Sequence, residues 1–214
     1  MKSFLSLFTD SAKSLKELRT ITTTGMLLAL AVAIRTLAIE ITPDIRIIFA
    51  YLPMCVIGML FGPIVCGMST FALDIIGYII DNKSARAYSM ELAVVEVLIG
   101  ILYGVFLYKR EIEGVNLKTV LRAVLARGSV IIFCNLIIRS YLLYSLYYNK
   151  DFSIMSFYTD SDLSNAFFVW WTPRIAKNLI QLPIDVLLLT IVLPAANNAY
   201  KTVRKYSVRR SGAK

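Results

Sequence analysis

The apolar residues of this chain fall into runs long enough to cross a bilayer, and that property alone removes most folds from consideration. A hydrocarbon layer is about 30 Å thick and takes roughly 20 residues of apolar helix to span. Such runs lie near residues 20–39, 63–80, 89–108, 119–147 and 172–198, and a shorter one near 46–61 is broken at Pro53 and at the Phe61-Gly62-Pro63 turn. The stretch 119–147 is long enough to tilt or to project beyond the lipid. Composition agrees: the chain is 57% hydrophobic and 17% charged, against about 45–50% and 25% in soluble domains. The expectation is an all-α membrane protein, with six transmembrane helices in a single bundle over residues 20–198. A cytoplasmic amphipathic segment, residues 1–19, precedes it, and a basic cytoplasmic tail, residues 199–214, follows.

A net charge of +9 in a soluble protein would raise nucleic-acid binding. Here the basic residues gather between and beyond the apolar runs, and aromatic stacking motifs are missing, so no nucleic acid is expected. Counted on alternate sides, fourteen basic residues (Lys2, Lys13, Lys16, Arg19, Lys109, Arg110, Lys118, Arg122, Lys201, Arg204, Lys205, Arg209, Arg210, Lys214) face four (Arg46, Lys83, Arg86, Lys150). The side richer in Lys and Arg is cytoplasmic. Both termini are therefore expected in the cytoplasm, which requires an even number of spans. The stretch Tyr148–Trp171 reads as an outer loop with an aromatic interfacial end at Phe167, Phe168, Trp170 and Trp171. No cleavage-site pattern separates Met1–Arg19 from the first span, so no signal peptide is expected. Cys55, Cys66 and Cys134 sit in apolar runs without paired spacing and read as buried inert thiols.

Ionisable groups within the spans point to a site. Each costs roughly 2.5–3.5 kcal/mol to place in lipid, so such residues normally face the bundle interior or a wet cavity. With both termini inside, Arg35, Asp74, Glu91, Arg139, Arg174 and Lys177 fall in the outer halves of five different spans, the side from which an external solute arrives. In the last span Arg174, Lys177, Asn178, Gln181 and Asp185 recur at offsets of 3, 4, 7 and 11 from the first, one stripe at helical periodicity. Pro183 falls within that stripe and frees a backbone carbonyl. Glu91 and Glu96 differ by five positions and project about 140° apart, so only one points squarely into a pocket. The shallower Glu91 is the expected one. Arg127 lies near the cytoplasmic end and reads as structural. The bland alternative for all of these is helix-locking ion pairs, or side chains that snorkel to the headgroups.

No G-x-x-x-x-G-K-[ST] element is present to cradle nucleotide phosphates, so the energy for any transport comes from a gradient or from partners. The chain has no His, which removes the usual general bases and the His ligands of metal-dependent intramembrane proteases. No catalytic residues, metal or cofactor are expected. An intramembrane enzyme and a purely structural membrane subunit are the competing classes, and saturable binding of a small solute separates a transporter from both. In the first span Ala29 and Ala33 form an A-x-x-x-A arrangement preceded by Gly25, which allows close approach of another helix from within the chain or outside it.

Taken in order, Ala29-x-x-x-Ala33-x-Arg35, Ile45-Arg46-Ile47 with Tyr51-Leu52-Pro53, Gly58-x-Leu60-Phe61-Gly62-Pro63, Ala72-x-Asp74-x-x-Gly77, Gly100-x-x-Tyr103-Gly104 and Arg174-x-x-Lys177-Asn178-x-x-x-x-Pro183 make the chain resemble the S components of energy-coupling factor (ECF) transporters, folate-type family. The resemblance implies an S-component bundle in the bacterial cell membrane. Such a protein captures a vitamin from outside and associates with a transmembrane EcfT subunit and two cytosolic ATPases. It gives Ala29 and Ala33 the role of contacting EcfT, and it implies transport by toppling of the loaded subunit. Two places differ from the folate-type pattern. Ser89-Met90-Glu91-Leu92-Ala93 stands where that family tends to have F-P-G-F-T, and Arg139-Ser140-Tyr141-Leu142 stands where it tends to have N-T-x-W. Folate or a related pterin is the first substrate expectation. A queuosine or 7-deazaguanine type is the second, because a carboxylate such as Glu91 accepts paired hydrogen bonds from a 2-amino-4-oxopyrimidine edge or neutralises an amine. The expected substrate-binding residues are Glu91, Arg139, Arg174, Lys177, Asn178, Asp74 and Arg35.

Overall fold

The computed structural model describes residues 2–37, 39–42, 45–81, 88–109, 112, 114–147 and 161–211. In chain order these form α1 (Lys2–Ser14), α2 (Leu18–Thr36), β1 (Ile39–Thr42), β2 (Ile45–Ile47), α3 (Tyr51–Phe61), α4 (Pro63–Asp81), α5 (Met90–Leu107) and α6 (Leu117–Ser129). A π-helical segment (Val130–Arg139), α7 (Ser140–Tyr147) and α8 (Ser161–Ser211) complete the fold. Among the described residues five helical stretches are long and apolar enough to cross a membrane, Leu18–Thr36, Pro63–Ile80, Met90–Leu107, Leu117–Tyr147 and Asp162–Lys205, with Tyr51–Phe61 as a shorter apolar helix. The protein is a multi-pass, helical membrane protein.

Two spans differ from the sequence expectation. The stretch near 46–61 is not one helix, because Ile45–Ile47 is the second strand of an antiparallel hairpin that pairs Ile39 with Ile47 and Glu40 with Arg46. Only the part from Tyr51 is helical, so α3 is too short to span. The last helix begins at Ser161 and not near residue 172, since Ser161–Trp171, expected as loop, is helical. It also runs unbroken past residue 198 and through Pro173, Pro183 and Pro194. The first part of the expected outer loop, residues 148–160, lies outside the described residues. So do Lys83, Arg86, Arg110, Lys150 and Lys214 from the basic count, together with the side chains of Lys2, Arg46, Arg209 and Arg210.

α3 is central. Tyr51, Pro53–Met59 and Phe61 are buried, as an all-round apolar helix requires. It packs against α2, α4, α5 and α8. α4 and α5 approach closely because α5 presents glycines: a β-carbon at residue 104 would overlap the Pro63 backbone, and one at 100 would meet the Cys66 carbonyl at 2.7 Å. Around this core, Met26, Leu30, Ile79, Val94, Ile132, Leu179 and Ile191 are exposed, an outer surface suited to lipid. Cys55, Cys66 and Cys134 are buried free thiols.

The two terminal segments meet at one end of the bundle. Ser11 of α1 is buried in the α3–α4 turn, where its hydroxyl donates to the Phe61 carbonyl at 2.7 Å and accepts from the Ile64 and Val65 amides at 3.1 and 3.3 Å. It thus caps the N-terminus of α4 from another helix. Gly62, at φ +90°, makes the turn in a region that disfavours side chains, and a β-carbon there would stand 2.8 Å from that of Ser11. Arg19 at the start of α2 lies over the Tyr200 ring of α8 at 5.2 Å, and Phe61 meets the same ring edge-on. Asp10 pairs with Lys109 just beyond α5. The hydrogen bond and charge of Lys109 hold the Asp10 carboxyl below the usual carboxylate range, and Asp10 correspondingly holds the Lys109 ammonium above its usual value.

Candidate functional site

Towards the other end of the same helices the intramembrane charges converge. Arg35 is on α2, sixteen positions beyond Arg19 and so about 24 Å further along the helix. Its guanidinium lies where a β-carbon on Gly77 would stand, and it donates to the Leu73 carbonyl at 3.3 Å. One turn along the same face of α4, Asp74 accepts a hydrogen bond from the Tyr88 hydroxyl at 3.1 Å. Burial, and secondarily the Asp74 charge, raise the Tyr88 phenol above its usual value. Arg139, the last residue of the π-helical segment, is within electrostatic reach of Asp74, Arg35 and Arg174. Lys177 is in turn within reach of Arg127, Asp185, Arg139 and Arg174.

The structure brings Arg35, Asp74, Arg139, Arg174 and Lys177 into one neighbourhood, drawn from α2, α4, the π-helical segment and α8. Arg174 is buried, with its guanidinium 4.1 Å from the centre of the Trp170 ring. Asn178 is also buried, but its amide turns back to donate to the Arg174 carbonyl at 2.8 Å.

Glu91 does not join this group. It is exposed in the first turn of α5, on the face of Val94 and Leu98, and its carboxylate accepts from Ser89 at 2.7 Å. A carboxylate there is favoured by the unpaired amides of the helix N-terminus, without any need for a ligand. The carboxylate that meets Arg139 is Glu96, in an ion pair whose side chains remain partly accessible. Glu96 is four positions before Gly100 and eight before Gly104, on the packed face of α5. The glycine spacing carried that signal, whereas depth alone favoured Glu91.

A second polar group lies deeper, and in it Arg127 takes the structural role expected of it as one half of an ion pair that locks helices together. Arg127 of α6 is buried; its Nε donates to Asp185 at 2.7 Å, its Nη1 donates to the Tyr103 hydroxyl at 2.6 Å, and its guanidinium carbon stands 4.0 Å from the Tyr51 ring centre. The Gln181 amide also donates to Asp185, at 3.3 Å. Four helices, α3, α5, α6 and α8, meet at this node, and the charges need one another because an unpaired ion is costly in a dry interior.

The wall beside Arg139 is unusual. Ten residues of π-helix, Val130–Arg139, interrupt a helix that is α-helical on both sides. Such wide turns are rare and often occur at functional positions. Trp171 of α8 donates its indole N–H to the Leu136 carbonyl at 2.9 Å, and Tyr144 and Phe167 pack edge-on nearby. Aromatic contacts thus tie α8 to the Arg139 end of the π-helical stretch.

Ala29 and Ala33 stand apart from all of this. Both are exposed, on the face opposite the buried Ala31, and a β-carbon at Gly25 on the same face would meet nothing within 4 Å. Packing among the described residues therefore does not account for them.

Comparison with known proteins adds three findings. The family model described as "ECF transporter, substrate-specific component" matches residues 19–193. A protein named "Folate transporter FolT" from Clostridium novyi is 34% identical over 103 residues, covering 48% of this chain and 54% of that protein. Its namesake from Streptococcus mutans is 33% identical over 133 residues, covering 61% and 69%. The first match thus spans about half the length of that relative. Among solved structures, "Crystal structure of FolT bound with folic acid" superposes with a TM-score of 0.65 at 30% identity, covering 82% of this chain and 91% of that one.

Proposed function

The chain belongs to the ECF transporter substrate-specific component family, and from that premise we propose that it captures folate or a related reduced pterin outside the cell for ATP-driven uptake. The single observation that carries the substrate is the likeness to a FolT with folic acid bound, which extends over 91% of that chain. The charge cluster supports it. Arg35, Arg139, Arg174 and Lys177 gather against Asp74 and Glu96 at one level of the bundle. This is an excess of cations suited to a ligand with carboxylates and a polar heterocycle. Arg139, Arg174, Lys177, Asp74 and Arg35 are the proposed substrate-side residues, with Asn178 holding the α8 backbone beside Arg174.

The 7-deazaguanine alternative drew on a carboxylate at position 91 inside the site. With Glu91 exposed beside Ser89, that residue does not supply it.

Transport needs energy from partners, in this reading an EcfT subunit and two cytosolic ATPases. The exposed Ala29 and Ala33 form the coupling face on α2. The cell membrane is the proposed location, with both termini cytoplasmic. Their shared end of the bundle carries Lys13, Lys16, Arg19, Lys109, Lys201 and Arg204, opposite the substrate-side cluster.

The test is calorimetric titration of the purified protein with folic acid, a reduced pterin and queuine, alongside mass spectrometry of ligand that co-purifies from cells. Saturable folic acid or pterin binding is expected. Binding of queuine alone would reassign the substrate, and binding of none would remove the vitamin reading.

A further inference from the structure

Gln181 is 4% exposed, and its Oε1 has no hydrogen-bond partner among the described residues, although its Nε2 is bonded. The amide cannot be turned round to relieve this. Asp185 is fully buried and held by Arg127, and an ionised carboxylate only accepts hydrogen bonds. The NH2 end of Gln181 must therefore face Asp185, which leaves its oxygen directed away from that carboxylate with both lone pairs unused. The Tyr51 hydroxyl lies beside the same Asp185, which can accept its hydrogen, so the spare acceptor at this node is the Gln181 oxygen. Buried polar atoms of this kind are few in folded proteins, and each calls for an explanation, of which a bound ligand is one.

Position along α8 indicates which occupant. Gln181 is seven residues, two turns, beyond Arg174, on the same stripe as Arg174, Lys177 and Asn178. Gln181 thus continues, beyond Lys177 and Asn178, the polar stripe that begins at the cation cluster.

Resting on the folate or pterin reading above, we propose that Gln181 is a specificity residue whose oxygen accepts a hydrogen bond from the exocyclic amine of the substrate's 2-amino-4-oxopyrimidine ring. Asp185 and Arg127 are positioning residues that fix the amide's orientation. A site that presents a fixed acceptor rejects a ligand lacking the matching donor, because the acceptor is then left buried and unpaired.

The experiment compares the affinity of the purified full chain for folic acid and for its analogue with methyl in place of the 2-amino group. The wild type should prefer folic acid by about ten- to hundredfold. Gln181→Met, similar in size but without the acceptor, should bring that ratio near unity, mainly by weakening folic acid. Gln181→Glu should keep the preference, since a carboxylic acid can share its proton with Asp185 and still present a carbonyl oxygen. An even ratio in the wild type overturns the proposal without recourse to any variant. A folded Gln181→Met protein that retains the wild-type ratio also overturns it and leaves the spare oxygen to a bound water. If Gln181→Met does not fold, Gln181→Ala, which also removes the acceptor, decides: a ratio near unity supports the proposal and a retained wild-type ratio overturns it. Absence of folic acid binding in the wild type is a different failure, that of the substrate reading itself.

Discussion

Arg127 and Asp185, 58 residues apart in the chain, meet at 2.7 Å inside the bundle, with Tyr103 and Gln181 completing their hydrogen bonds. Removing one member of such a pair strands the other in a dry interior and costs about 3–5 kcal/mol. Arg127→Met should lower stability by that amount, whereas Arg127→Met with Asp185→Leu should recover most of the loss. Thermal unfolding in detergent of both variants measures it. An additive double variant would mean the charges act independently.

The two glutamates of α5 give a sharp contrast in binding. Glu96 meets Arg139, and Glu91 meets Ser89 at the exposed helix start. Glu96→Gln should change folic acid affinity about tenfold, because Arg139 loses the carboxylate that orients and partly neutralises it in the site. Glu91→Gln should leave the affinity unchanged. Titration of the two variants side by side checks the assignment, and the reverse ranking would restore Glu91 to the site.

Bulk on the exposed face of α2 should block coupling and spare capture. Ala29→Leu with Ala33→Leu places two large side chains where close helix approach is needed. Vitamin uptake by cells should be lost, and ligand binding by the isolated protein should persist. Normal uptake by this variant would assign the face to lipid.

Gly104→Ala tests the α4–α5 contact, where a β-carbon would overlap the Pro63 backbone. Neither helix can yield without moving the core, so a loss of about 1–3 kcal/mol is expected from overpacking. Gly25→Ala, at an open position inside α2, is the control and should stabilise slightly, by up to about 1 kcal/mol, in the same unfolding measurement.

The docking of α1 should depend on pH through Asp10 and Lys109. The Asp10 carboxyl is lowered by its partner, so its contribution is present above the ordinary carboxylate range and disappears as pH falls through the lowered value. The Lys109 ammonium is raised, so its contribution is complete below the ordinary lysine range and disappears as pH rises through the raised value. Protection of α1 from proteolysis should therefore be level across neutral pH and fall at both extremes. Asp10→Asn should lower the plateau and remove the acid limb that belongs to this pair.

Much of this architecture was legible from apolar length and charge, and the exceptions have physical causes. The long helices are found where the hydropathy runs place them, because lipid leaves the backbone few alternatives. Ile45–Ile47 is apolar enough to read as the start of a span, yet it pairs with Ile39–Thr42 in a tight hairpin, a local choice that apolar length cannot reveal. Ser161–Trp171 is helical despite its polar beginning, since Phe167 and Trp171 pack on Tyr144 and on the π-helical stretch. Depth singled out Arg35, Asp74, Arg139, Arg174 and Lys177, which do gather. It passed over Glu96 and Arg127, whose partners come from distant helices. For Glu96 the better signal was its register with Gly100 and Gly104.

Ser11 has a mechanical consequence. Three of its hydrogen bonds secure the turn into α4, and the neighbouring Asp10 grips the far end of α5. α1 is therefore clamped to two membrane-crossing helices and is not a trailing anchor. Any change in the tilt of α4 within the bilayer must swing α1 through the headgroup layer like a keel, or first break those bonds.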